Sequence, residues 1–144
     1  MLKNVPKLLS PELLKILCEM GHGDEIVIGD ANFPSENYGQ RVIRADGIGG
    51  EALLEAILTM IPLDTYAEEN LMLMALVPSD EGKVNPVIWD KYKAIAAEKD
   101  GNQRVANIER FAFYERAKKA YAVVASGEEA IYANVIIKKG VISG

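Results

Sequence analysis

The chain has 144 residues, 49% of them hydrophobic and 26% charged, with 16 basic against 21 acidic side chains for a formal net charge of −5. This length suits a single domain that buries roughly two thirds of the surface exposed by its unfolded form. An acidic chain with no basic block beyond Lys118-Lys119 and Lys138-Lys139 has no electrostatic footprint for phosphate backbones, which argues against nucleic acid as a partner. No run reaches the ~18 apolar residues needed to cross a bilayer, and Met1 to Pro6 lacks a secretory apolar core. A lone cysteine, Cys18, rules out an internal disulfide and a multi-cysteine metal site; it reads as a small buried apolar residue in a reducing, cytoplasmic setting.

Ser10-Pro11-Glu12 supplies a capping hydroxyl, a proline at the first helical position and an acid in the first turn. Leu13, Leu14, Leu17 and Met20 then follow at helical spacing, and Gly21 is a natural stop. Glu25 to Ile28 and Arg41 to Ile43 read as short strands, Gly50 to Met60 as a helix, and Leu71 to Val77 as a buried strand ending at Pro78. Asn85-Pro86 opens another helix with Ile88, Tyr92, Ile95 and Ala96 toward the core. Gln103 to Ile108 is extended, Phe111 to Lys119 helical, Ala120 to Ala125 extended, and Tyr132 to Ile137 forms a last strand. Strands alternating with helices, without repeats or a linker, predict a single-domain α/β layered fold over residues 1–144, with a largely parallel sheet flanked by helices. Ligands of such sheets gather at the carboxyl ends of strands, where Asp30 lies.

The only histidine, His22, stands between Gly21 and Gly23 among Asp24, Glu25 and Asp30. With an unperturbed pKa of ~6.5, imidazole both takes and gives a proton near neutral pH, and a nearby carboxylate would fix its tautomer. One histidine with scattered acids does not make the usual zinc ligand set, so no metal is expected. Asp46 to Ala52 matches the G-x-G-x-x-A form of a dinucleotide loop at Gly47, Gly49 and Ala52. The acid that should follow ~20 residues on is misplaced at Asp64 or Asp80, so a tight turn into a helix is the better reading. Asn107 to Arg116 alternates charges and aromatics: Arg110 could donate to vicinal hydroxyls or a ring oxygen while Phe111, Phe113 or Tyr114 covers the apolar face of a small ligand, against a plain surface ion pair beside core aromatics. Tyr132 and Asn134, two apart on a strand, would share one face as binding groups or as edge-strand decoration.

Taken together, Leu9 to Leu14, Glu19-Met20-Gly21-His22-Gly23-Asp24-Glu25-Ile26, Asp30-Ala31-Asn32-Phe33-Pro34, Val42 to Gly47, Arg110-Phe111-Ala112-Phe113-Tyr114-Glu115-Arg116-Ala117 and Gly127-Glu128 with Tyr132-Ala133-Asn134-Val135-Ile136 make the chain resemble the L-fucose mutarotase and D-ribose pyranase family nearly end to end. The Arg-Phe-Ala-Phe-Tyr-Glu-Arg run is similar to the fucose branch, whereas Asn32 stands where some members of that branch carry histidine. The resemblance implies a cofactor-free isomerase that opens and recloses a reducing monosaccharide. His22 would be the acid, and Asp30, Arg110, Tyr132 and Asn134 would hold the sugar. Water, Asp30 or the Tyr132 phenol could be the base, and Asp30 would help orient His22. It also implies ring-shaped homo-oligomers of two stacked pentamers, with sites between subunits. The alternatives are pyranose–furanose interconversion of ribose and a non-catalytic sugar-binding accessory protein.

Overall fold

A computed structural model describes residues 1–144. Six strands, β1 (Glu25–Gly29), β2 (Val42–Ala45), β3 (Leu71–Met74), β4 (Val105–Ile108), β5 (Ala122–Ser126) and β6 (Val135–Lys138), form one sheet in the order β2-β5-β1-β6-β3-β4. Pairings β1–β5, β2–β5 and β3–β4 are parallel, while β6 runs antiparallel to both β1 and β3. The sheet is therefore mostly parallel, as expected. Tyr132 and Asn134, however, precede an internal strand rather than decorate an edge.

Side chains alternate across the pleat. Ile26, Ile28, Val124, Val135, Ile137 and Leu73 face one layer, formed by α1 (Pro11–Glu19), α3 (Gly50–Met60) and α4 (Val87–Lys99). Val27, Met72, Val123 and Ile136 face the other, where α5 (Arg110–Lys119) brings Phe113 and Ala117. The four-residue α2 (Ser35–Tyr38) and a 3-10 turn at Pro78–Asp80 are too short to show a period and have no counterpart in the sequence reading. No helix is long and apolar enough to cross a membrane.

Local chemistry sets the boundaries. Ser10 caps α1 through its hydroxyl, which accepts from Leu13 N–H at 3.2 Å, and the Glu109 carboxylate caps α5 through Ala112 N–H at 2.9 Å. Cys18, expected to be buried, is exposed, because Leu13, Ile16 and Leu17 carry the buried stripe of α1. β3 pairs only as far as Met74 rather than Val77, the Ala75 N–H donating the last bond of the β3–β4 ladder to the Ile108 carbonyl. β6 starts at Val135 rather than Tyr132, whose φ of 61° lies in the left-handed region and breaks the extended run.

The glycine-rich turn before α3 is filled from within. Glu128 Oε1 accepts from Gly50 N–H at 3.0 Å, so a carboxylate occupies the helix N-terminus where a pyrophosphate would sit. Gly50 itself makes room for α4: a Cβ there would lie 1.9 Å from the Tyr92 hydroxyl, which donates to the Ala133 carbonyl at 3.0 Å. Alanine normally gains about 1 kcal/mol over glycine in a helix. Here overpacking costing about 1–3 kcal/mol should win, so Gly50→Ala is expected to lower the urea midpoint without changing the slope.

Candidate functional site

At the carboxyl ends of β1 and β3, beside the start of the antiparallel β6, lies a cavity of about 280 Å³. It is bordered by Asp30, Arg110, Tyr132 and Asn134, together with Asn32, Met74, Asp80, Tyr114 and Ile131. Four of the five residues singled out above thus meet around one opening. Asp30 follows β1 directly, Arg110 opens α5, and Tyr132 and Asn134 lie in the turn that enters β6.

Asp30 and Asn134, both nearly closed off from solvent, brace one another. The Asp30 N–H donates to Asn134 Oδ1 at 2.8 Å, which turns the Asn134 amide nitrogen toward Met74 Sδ at 3.9 Å. Burial pushes the Asp30 carboxyl above its ordinary pKa, and the neighbouring N–H groups of Asn32, Ala133 and Phe33 only partly offset that push. Tyr132 holds its left-handed backbone because its carbonyl accepts from Trp89 Nε1 at 2.8 Å. Its phenol donates to Asp80 and accepts the Val77 N–H at 3.2 Å. Burial, reinforced by Asp80, raises its pKa. The hydroxyl is thus largely spent on protein partners, and the ring is what Tyr132 has left to give the cavity.

Arg110 is exposed, with Nε donating to the Tyr114 hydroxyl at 3.1 Å. Its terminal nitrogens have no partner in the chain. Tyr114 stacks on Tyr38 with ring centroids 4.8 Å apart, which gives the cavity an aromatic wall. Of the aromatics weighed from sequence, Tyr114 lines the opening, Phe111 is exposed beside it, and Phe113 belongs to the core.

His22 is elsewhere. It lies in the loop before β1, at the opposite end of the strand from Asp30. At about 3.3 Å per residue, the five residues of β1 separate the two by on the order of 15 Å. The expected contact between Asp30 and His22 is therefore absent within one chain. Asp24 instead accepts from Gly21 N–H at 2.7 Å, and Glu25 pairs with Arg116 at 2.7 Å. The carboxylate that holds the ring is Asp64, 42 residues away, with His22 Nε2 at 2.9 Å from Asp64 Oδ1. Burial alone would raise the Asp64 pKa. The Tyr66 N–H and the His22 ring outweigh it and hold the carboxyl below its usual range. An ionised Asp64 only accepts, so Nε2 carries the hydrogen and Nδ1 is the nitrogen left without a partner. Tyr66 packs against the ring at 5.1 Å between centroids. Asp64 and Asp80 gave no signal in sequence, since each acquires its partner only through the fold.

A mostly parallel α/β sheet ending in a small cavity with polar groups and an aromatic wall defines a small-molecule-binding protein. The chain belongs to the RbsD / FucU transport protein family, whose model matches residues 3–142. It is 53% identical to a fucose mutarotase of Mus musculus over 98% of this chain and 95% of that protein. It is 51% identical to an L-fucose mutarotase of Actinobacillus pleuropneumoniae over 98% and 97%. The crystal structure of the Streptococcus pneumoniae fucose mutarotase in complex with L-fucose superposes with a TM-score of 0.93 at 46% identity, covering 99% of this chain and 100% of that one.

A carboxyl whose folded-state pKa is raised gives its full stability below the ordinary value near ~4 and loses it as pH rises through the folded-state value. Asp30→Asn should remove that loss. Unfolding free energies measured at pH 4 and pH 7 are expected to show the variant gaining on the natural protein at the higher pH. A variant that falls further behind at pH 7 would contradict burial as the dominant influence on Asp30.

Proposed function

We propose that residues 1–144 act as one mutarotase domain, an isomerase that interconverts the anomers of L-fucose. The observation that carries this reading is the convergence of Asp30, Arg110, Tyr132 and Asn134 on one cavity in a chain about half identical to fucose mutarotases over nearly its whole length. Its volume of about 280 Å³ falls just below the ~300–1,000 Å³ range of drug-sized pockets, in keeping with a ligand as small as a monosaccharide.

The reaction opens a hemiacetal. The anomeric hydroxyl loses its proton, the ring oxygen gains one, the aldehyde rotates, and closure on its other face restores both protons. General acid–base assistance worth ~10²–10⁴-fold suits such a step. His22 is the acid: Asp64 holds the ring through Nε2, leaving Nδ1 to pass a proton to the sugar and take it back. Among the candidate bases, Tyr132 is poorly suited because its hydroxyl donates to Asp80 and its pKa is raised. Asp30, a buried carboxyl at the cavity that burial makes more basic than usual, is the better one. Arg110 and the Asn134 amide orient the ring hydroxyls, and the Tyr132 and Tyr114 rings cover its apolar face.

Because His22 and the cavity lie at opposite ends of β1, the acid comes from a neighbouring copy in a ring-shaped homo-oligomer, a decamer of two stacked pentamers. Tyr66 beside His22 is 78% exposed, and Phe111 and Ile131 at the cavity mouth are 64% and 54% exposed. Such apolar surface flanking both half-sites favours this arrangement. A free, exposed Cys18 accords with a cytoplasmic location.

Saturation-transfer NMR on L-fucose reads the activity directly, since magnetisation passes between anomers only when ring opening is accelerated. The protein should speed exchange and His22→Ala should return it to the protein-free rate; a sugar-binding transport accessory would alter neither rate. Mixing inactive His22→Ala and Asp30→Asn subunits, after dissociation and reassembly, should restore about one quarter of the natural activity, the share of random interfaces with both residues intact. No recovery in mixed rings would overturn the shared site.

A further inference from the structure

We infer that Lys139 is a positioning residue for His22, an assignment that rests on the acid role given to His22 above. Helix α1 ends at Glu19 with no basic residue in its last turn and an extended cap at Met20, so its final carbonyls need donors from elsewhere. The Lys139 ammonium supplies them, donating to the Leu17 carbonyl at 2.8 Å and the Met20 carbonyl at 2.5 Å. It also sets a positive charge at the negative end of the helix. His22 follows two residues later, between Gly21 and Gly23, and Gly23 sits at φ 87°. The Lys139 backbone takes hold of the far side of this loop: its carbonyl accepts the Gly23 N–H at 2.8 Å, and its N–H donates to the Asp24 carbonyl at 2.9 Å.

Four hydrogen bonds from one residue thus bracket Gly21 and His22. The adjoining residues take hold of the other partner: the Lys138 carbonyl accepts the Asp64 N–H at 3.0 Å, and the Gly140 N–H donates to the Pro62 carbonyl at 2.9 Å. Gly140 is required there, because a Cβ would come within 2.4 Å of the Leu63 carbonyl oxygen. One tripeptide therefore sets the spacing of the His22–Asp64 pair. Without the ammonium, a loop flanked by two glycines gains backbone freedom, and Nδ1 loses its fixed direction. Lys139 lies far from the cavity of its own chain, so its influence falls on proton transfer rather than on sugar binding.

The test compares Lys139→Met, Lys139→Arg and His22→Ala by saturation-transfer NMR across L-fucose concentrations, together with the 15N spectrum of the imidazole. His22 is the only histidine, so that spectrum reports one ring. For Lys139→Met the expected result is a kcat about tenfold lower, in line with the sensitivity of catalysis to small misplacements. KM should stay within about twofold, Lys139→Arg should keep most of the rate, and the 15N pair should move from the Nε2–H tautomer pattern toward averaged values. An unchanged kcat and ring spectrum would overturn the inference, as would a loss that appears mainly in KM with the ring spectrum unmoved. If Lys139→Met does not fold, Lys139→Gln, one atom shorter and uncharged but still an N–H donor, is judged by the same readouts. His22→Ala separates the two levels. Full exchange in that variant removes the acid role itself, whereas a silent His22→Ala beside a fully active Lys139→Met removes only the role of Lys139.

Discussion

One strand running against its neighbours organises this molecule. Because β6 is antiparallel to β1 and β3, its entry lies where those strands finish and its exit where they begin. Residues 132–134 thereby reach the cavity, while residues 138–140 reach the loops of His22 and Asp64. A parallel β6 would bring neither pairing about. Its register is locked by residues buried on both faces, Val135 and Ile137 against one layer and Ile136 against the other. A slip of one position would exchange these faces and displace both ends together.

The entry to β6 carries a cost that α4 offsets. Tyrosine in the left-handed region is uncommon, and such positions cost of order 1–3 kcal/mol unless their surroundings determine them. Here Trp89 takes the Tyr132 carbonyl, Tyr92 takes the Ala133 carbonyl, and Asp80 with Val77 takes the phenol. Each of these groups comes from the segment between β3 and α4 or from α4 itself. The space that lets Tyr92 reach Ala133 is provided by Gly50 on α3. Packing in one layer thus fixes the shape of a cavity at the sheet's end.

Much of this organisation was legible in the residues. Ser10-Pro11-Glu12 announced α1, the apolar period of Gly50 to Met60 announced α3, and the β-branched runs at 26–28 and 135–137 announced strands, though not that both lie inside the sheet. Asp30, Arg110, Tyr132 and Asn134 were legible as a group through the resemblance of their surrounding blocks to a known family; alone, Arg110 read equally as a surface ion pair, and Tyr132 and Asn134 as edge-strand decoration. What stayed hidden depended on distant partners. Nothing near His22 points to Asp64, nothing near Tyr132 points to Asp80, and a tyrosine gives no hint of a positive φ. Gly21 marked the end of α1 correctly, just beyond the Met20 cap, yet nothing near it shows that the final carbonyls take their donor from Lys139 at the far end of the chain.

The turn ahead of α3 has a bearing on ligand charge. With Glu128 seated on the Gly50 N–H, the attraction of the α3 N-terminus for anions is already met internally. Around the cavity itself, Arg110 is the one cationic side chain and stands against Asp30 and Asp80. A phosphorylated sugar entering there would find one guanidinium and two carboxyl groups, whereas an uncharged polyol meets donors and acceptors without opposing charge. The balance of charge at this opening therefore favours neutral ligands over anionic ones.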